Sequence, residues 1–338
     1  MSRADAAFEE IAVRGGSLSQ VPVVIEAAVP LELSGEVVRN RICTFTDEQG
    51  QEWALRPDLT LPVAQAEIVA RQTGAPEETV RRYRGPVFRL PAVMGEPVEY
   101  EQIGIERFGA ARGVEEDVWL FETIAAGCRA AGTTSGAALF GDLSIFPAFV
   151  DALDIQTDLA AGLKRAFRQE GGVRAFMAGH NRQRGGLSSR LKGMAQTEVA
   201  AFVEDIFAMT SVRPVGERSA EEIVERLYQQ AQAAELTLSQ EASALLEAVL
   251  AVDAPIEEAP IKLRAIADQA GLNGLGETLD RFEQRMQRLL AGSASTFLSG
   301  AQFATRFGRR FTYYDGFVFE LIADHSAAAR KRPFASGG

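Results

Sequence analysis

An amide and a carboxylate, Gln102 and Glu106, stand four residues apart in the run Val98 to Phe108. Its alternation puts Val98, Tyr100, Gln102, Gly104, Glu106 and Phe108 on one strand face and Glu99, Glu101, Ile103, Ile105 and Arg107 on the other. At a strand rise of about 3.3 Å per residue the two polar groups lie roughly 13 Å apart, with only Gly104 between them. A glycine on a strand face leaves a side-chain-sized gap of the kind through which a ligand or another backbone approaches. Arg89, in the preceding Pro86-Val87-Phe88-Arg89 segment, would supply a cation across a hairpin. On spacing alone the same pattern also describes a solvated amphipathic hairpin. A second polar segment, Arg56-Pro57-Asp58-Leu59-Thr60, joins a strand pattern to a helix pattern, where loops commonly hold chemistry; Thr60 is placed to cap the helix.

The elements that must position these residues follow from periodicity. Phe8 to Arg14 predicts a short helix closed by Gly15-Gly16, and Pro30 in Val29-Pro30-Leu31-Glu32-Leu33 predicts an edge or interface element. Arg41 to Asp47 and Gln51 to Arg56 alternate about a Glu48-Gln49-Gly50 turn, a hairpin. Helical spacing follows through Val63, Ala66, Glu67 and Ala70, and again from Glu115 to Ala131, stopped by Gly132. Ala137 to Ser144 reads as a strand, after which helical stripes take over. Thr157 opens one with Leu159, Leu163 and Phe167, and Thr197 another with Val199, Phe202 and Phe207. Thr237 with Gln240 resembles a capping box, and Leu275, Leu279, Phe282, Met286 and Leu289 form a last stripe. Strand chemistry returns from Arg306 to Ile322. Strands, helices and strands again predict an α+β protein, with residues 1–150 and 300–338 as one discontinuous domain and 151–299 as a mainly helical insertion.

Composition bounds the function. The 338 residues are 46% hydrophobic and 24% charged, with no apolar run long enough to span a bilayer, and the start of the chain has no export signal, so a cytoplasmic location is expected. A net charge of −11 with only four lysines argues against a role built on neutralising phosphates, so no nucleic-acid partner is expected. Cys43, Cys128, His180 and His325 lack metal-ligand spacing, and neither GxGxxG nor GxxxxGK[ST] occurs, so no metal or nucleotide cofactor is expected.

Taken together, Thr44-Phe45, Leu55-Arg56-Pro57-Asp58-Leu59-Thr60, Gly85-Pro86-Val87-Phe88-Arg89, Gln102-Ile103-Gly104-Ile105-Glu106 and Tyr313-Tyr314 before Val318-Phe319-Glu320 resemble the histidyl-tRNA synthetase catalytic core. The resemblance implies a class II synthetase fold, an antiparallel sheet flanked by helices, with Val29-Pro30-Leu31-Glu32 similar to the dimer-forming first motif. It implies a histidine site in which Asp58 and Thr60 hold the amino group, Arg89 and Gln102 the carboxylate, and Glu106 with Tyr313 and Tyr314 the imidazole. Asp58 is one methylene shorter than the family's usual glutamate. The chemistry agrees: an ammonium calls for a carboxylate, a carboxylate for a guanidinium, and an imidazole for an acceptor and a phenol.

The departures bear on activity. The loop after Arg89 carries Leu90, Glu96 and Glu99 where the family places nucleotide-binding residues, and carboxylates there would repel a triphosphate. Arg309 occupies the place of the family's catalytic arginine. The third motif would follow Gly338, where the given chain ends, so either the sequence is truncated or that half of the nucleotide site is absent. The chain is therefore similar to the regulatory subunits of ATP phosphoribosyltransferase. The resemblance implies a non-catalytic homodimer that joins the short catalytic subunit, activates it and transmits feedback by L-histidine in histidine biosynthesis. The alternative is a ligase that adenylates histidine.

Overall fold

Ser2 and Asp5 cap the helix Arg3–Val13 reciprocally, the Ser2 hydroxyl accepting from the Asp5 N–H at 3.0 Å and the Asp5 carboxylate from the Ser2 N–H at 2.6 Å. Ile11 on its inner face packs where Gly127 opens the surface of a second helix, Val114–Ala130. The computed structural model describes residues 1–33, 36–111, 113–169, 171–182, 194–202, 238–309, 314–323 and 333–338. The chain divides into one unit of 1–145 with 249–338 and another of 146–248.

In the first unit, β1 (Ser17–Leu18), β2 (Val24–Glu26), β3 (Cys43–Thr46), β4 (Glu52–Leu55), β5 (Thr79–Phe88) and β6 (Glu99–Phe108) precede the helix Val114–Ala130. β3 and β4 form the expected hairpin, Phe45 opposite Trp53, with Gly50 supplying the positive φ of the turn, and β2 adds on the other side of β4. β5 and β6 pair without a bulge from Thr79 opposite Phe108 to Phe88 opposite Glu99, and β1 joins β5 in parallel. Val29 to Leu33 is part of a helix, Ala28–Leu33, with Pro30 buried in it, not an edge strand; a proline in a first turn removes no helical hydrogen bond.

Later come β7 (Ala137–Asp142), β8 (Asp253–Pro255), β9 (Gln302–Ala304), β10 (Phe317–Ile322) and β11 (Ala335–Gly337), in the order β11-β10-β7-β9-β8. All six residues of β10 are buried, and Phe121 of the helix Val114–Ala130 sits 5.1 Å, ring to ring, from both Phe140 and Phe319. The class is α+β as expected. Among the described residues the strands form three sheets, paired mostly antiparallel as expected, with parallel joins at β1–β5 and β7–β9. Of the described residues between Arg306 and Ile322, only Phe317–Ile322 are strand; residues 305–309 form a turn, tied by the Thr305 N–H to the Val252 carbonyl, with Gly308 at positive φ.

Residues 249–299, read above as insertion, belong with the first unit. β8 pairs with β9, and the helix Gly276–Ala291 buries Leu279, Phe282, Met286 and Leu289, with the Phe282 ring 4.7 Å from Phe303. A 3.6-residue stripe looks the same whether it faces helices or a sheet. In the second unit every described regular element is helical. Leu159, Leu163 and Phe167 are buried as their spacing predicts, and Phe167 stacks on Phe146 at 4.5 Å. The helix at Thr197 is described only to residue 202, so Phe207 lies outside the described residues, as does Thr237; Ser239 caps the helix Gln240–Ala251 through the Ala242 N–H at 3.1 Å. Among the described residues no helix is long and apolar enough to cross a membrane.

One buried charge ties helix to helix and helix to sheet. Arg285 on Gly276–Ala291 donates Nε to Asp117 at 2.7 Å and Nη1 to Asp142 at 2.5 Å, and its guanidinium lies over the Phe317 ring at 5.3 Å. Asp142 also accepts from the Ser144 N–H and hydroxyl through its other oxygen. Burial pushes the Asp117 carboxyl above its ordinary range, and Arg285 opposes that. Arg285→Ala is expected to cost about 3–5 kcal/mol in urea unfolding, because it leaves two carboxylates without their cation. A loss under about 1 kcal/mol would show that the cluster is not structural.

Candidate functional site

The helix Thr60–Gln72 begins beside the β5–β6 hairpin, and its first turn carries N–H groups that no helical carbonyl can reach. Two of the expected site residues satisfy them. The Asp58 carboxylate accepts from the Leu61 N–H at 3.0 Å, and the Gln102 amide oxygen, from β6, accepts from the Leu59 N–H at 2.9 Å. The helix is therefore capped by Asp58 and Gln102, not by Thr60. Thr60 instead donates its hydroxyl to Glu106 Oε1 at 2.9 Å. Gln102 turns its oxygen to the backbone, so its amide N–H groups remain the donors it can offer to a ligand.

The gap expected over Gly104 is filled. Tyr83, directly across the hairpin, lays its ring there: a Cβ on Gly104 would meet the phenol oxygen at 2.3 Å and the ring carbons at 2.4 and 2.6 Å. Its hydroxyl donates to Glu106 Oε1 at 2.9 Å, the same oxygen that Thr60 uses. Tyr83 is the site residue that the sequence reading missed. The signal was present as a tyrosine opposite a glycine on one face, but it emerges only once the hairpin register is known.

Arg89 extends the hairpin by one pair, its N–H reaching the Val98 carbonyl, and donates Nε to the Pro57 carbonyl at 2.7 Å. Its cation bears on Asp58, whose carboxyl is nonetheless held above its ordinary range, burial outweighing the Leu61 N–H, Arg89 and the Thr60 N–H. Glu106 is raised as well: burial is the largest cause, the hydrogen bonds from Thr60 and Tyr83 pull it down, and Asp58 pushes it up. Asp58, Thr60, Gln102, Glu106 and Arg89 thus converge on one face of the hairpin and the helix start. Tyr314 stands near enough to act electrostatically on the Tyr83 hydroxyl, whose pKa is raised mainly by burial and then by Glu106. Tyr313 lies outside the described residues. Arg309, on the turn 305–309, donates Nε to the Arg306 carbonyl at 2.8 Å.

Arg81 lies directly opposite Glu106 and would be its natural counter-ion, yet Arg81 pairs with Glu67 at 2.8 Å and reaches Ser17 with Nη1. Burial alone would raise the Glu67 carboxyl, but hydrogen bonds from Thr79, Arg81 and Arg71 together hold it below its ordinary value. In the loop after Arg89 the electrostatic expectation needs correcting. Glu96 is neutralised by Arg41 at 3.0 Å and accepts the Ala92 N–H at 2.8 Å, so only Glu99 there is an exposed carboxylate.

The family model of histidyl-tRNA synthetase matches residues 19–192. The chain is 31% identical over 345 residues to an ATP phosphoribosyltransferase regulatory subunit of Mesorhizobium japonicum, covering 97% of this chain and 86% of that one. In fold it resembles a solved ATP phosphoribosyltransferase regulatory subunit/histidyl-tRNA synthetase from Bacillus halodurans, with a TM-score of 0.63 at 18% identity over 99% of this chain and 70% of that one. It also resembles a chain of the ATP phosphoribosyl transferase (HisG:HisZ) complex from Thermotoga maritima, with a TM-score of 0.52 at 13% identity over 99% of this chain and 90% of that one. The shared architecture is the class II synthetase-like core.

Two carboxylates with raised pKa values have a consequence for stability. A group whose folded pKa exceeds its unfolded value stabilises the fold at low pH and loses that contribution as pH rises through the folded value. At a pH above its folded value the Glu106 carboxylate is ionised against its surroundings. Glu106→Gln, which keeps the acceptor oxygen for Thr60 and Tyr83, is expected to raise the melting temperature of the ligand-free protein at pH 7 by roughly 1–3 °C. That gain should vanish toward pH 4 in differential scanning calorimetry. A lower melting temperature at pH 7 would contradict the placement of Glu106.

Proposed function

The chain belongs to the family of ATP phosphoribosyltransferase regulatory subunits, and from that membership we propose that it is the non-catalytic, histidine-binding partner of a short-form catalytic subunit, acting as a homodimer within a hetero-oligomer. The observation that carries the ligand is the pairing of Asp58 and Glu106, bridged by Thr60, with Arg89 at the Asp58 end. Two carboxylates and one cation suit a small zwitterion with a second basic group, and histidine is such a molecule. In this reading Asp58 and Thr60 take the ammonium, Arg89 and the Gln102 amide take the carboxylate, and Glu106 takes an imidazole N–H, with Tyr313 and Tyr314 on the imidazole as well.

Binding without chemistry has an effect only through a partner. Histidine acts as a feedback inhibitor if it binds the inhibited assembly more tightly than the active one, by about 1–3 kcal/mol for an ordinary allosteric ligand, and linkage makes the effect reciprocal. The complex described for the Thermotoga maritima protein supports an assembly of this kind.

Titration calorimetry should detect L-histidine binding directly, and Glu106→Ala should weaken it by roughly 1.5–3 kcal/mol through loss of a charge-assisted hydrogen bond. Absence of heat in the wild type, or equal affinity in the variant, would remove the ligand assignment. Added to the short-form transferase of the same host, the chain should raise the transferase rate and make it sensitive to histidine. Arg89→Ala should leave the activation in place and blunt the inhibition. A transferase indifferent to the chain would end the regulatory reading.

A further inference from the structure

The two donors on Glu106 Oε1 divide the labour of that carboxylate. Thr60 and Tyr83 both reach Oε1 at 2.9 Å, and among the described residues no hydrogen bond reaches Oε2. The groups around Glu106 come from each element packed on it: Tyr83 and Arg81 from β5, Asp58 and Thr60 from the helix start, and Tyr314, which bears on Tyr83. The one cation in register with it, Arg81, is held by Glu67 and Ser17. Glu106 is thus oriented by neutral hydroxyls while its charge stays uncancelled by any ion pair among the described residues.

We propose that Tyr83 is a positioning residue that fixes the Glu106 carboxylate with Oε1 inward and Oε2 toward the ligand, so that the site selects ligands presenting an N–H or cationic group at that point. The inference rests on the reading of histidine as ligand. A carboxylate with one oxygen bonded twice cannot rotate without breaking both bonds, and a buried acceptor that a ligand leaves unpaired is costly. A site built to accept an N–H therefore rejects an isostere that lacks one far more strongly than a merely apolar cleft would. Glycine at 104 makes room for the tyrosine ring, which a Cβ there would push aside.

The test compares L-histidine with L-2-thienylalanine, which matches the ring in size but has no N–H, in the wild type, Tyr83→Phe and Gly104→Ala, over pH 5–8. In the wild type, histidine should be preferred by at least ~30-fold. Tyr83→Phe should weaken histidine by roughly 3- to 30-fold and narrow the preference, with thienylalanine little changed. The phenol lowers the Glu106 pKa, so its removal should move the acid limb of histidine binding to higher pH, because a carboxylate that protonates earlier loses its ligand earlier as pH falls. Gly104→Ala, which displaces the ring and leaves the hydroxyl chemistry in place, should shift the profile in the same direction. A folded Tyr83→Phe protein with wild-type preference and an unmoved acid limb overturns the positioning role alone. A wild type that binds no histidine overturns the functional reading and this role with it. If Tyr83→Phe does not fold, an unmoved limb in Gly104→Ala overturns the positioning role.

Discussion

The unsatisfied N–H groups at the start of the helix Thr60–Gln72 are the constraint around which the candidate site is arranged. A helix end buried against a hairpin must find acceptors, and here they are the Asp58 carboxylate and the Gln102 amide oxygen. Meeting that demand draws β6 against the helix start. The positive end of the helix dipole lies at the same place and favours the negative charge of Asp58.

Around that point, charge is managed by committing the nearby cations elsewhere. Arg81 is committed to Glu67 and Arg41 to Glu96. Buried Arg56 donates to the carbonyls of Pro86, Val21 and Pro22, bracing the strand that leads into Asp58 from behind. Gly85 is required beside it, since a Cβ there would meet the Arg56 guanidinium at 2.6 Å. Glu106 is left with hydroxyl partners, while Asp58 has N–H partners and the nearby Arg89 cation. Hydrogen bonds of that kind leave more of a carboxylate's charge uncompensated than an ion pair does.

The same fold serves synthetases and regulatory subunits, so architecture alone does not decide between them. The loop after Arg89 bears on that choice. Its Glu96 is folded back onto Arg41, just before β3, and Arg41 also donates to the Leu90 carbonyl, so the loop is tied to the start of that strand. The loop's polar groups are committed to Arg41 and to the loop backbone.

Much of the local structure was legible in the chain itself. Strand alternation, the Gly50 turn, the glycine stops and the helical stripes are local properties, each set by backbone geometry and side-chain period within a dozen residues. Asp58, Thr60, Gln102, Glu106 and Arg89 stood out in the chain by type and order, and the fold gathers them at the hairpin and the helix start. Only tertiary structure could decide which of two equivalent-looking partners a polar group takes. Thr60 turned from the helix cap to Glu106, Arg81 from Glu106 to Glu67, and Tyr83 filled the space that Gly104 leaves. Likewise a helical stripe at Leu279 to Leu289 does not say whether a sheet or a helix bundle will cover it. In each case the competing arrangements are alike in sequence and differ only in register across strands or in which element packs opposite, and those are fixed by the whole core at once.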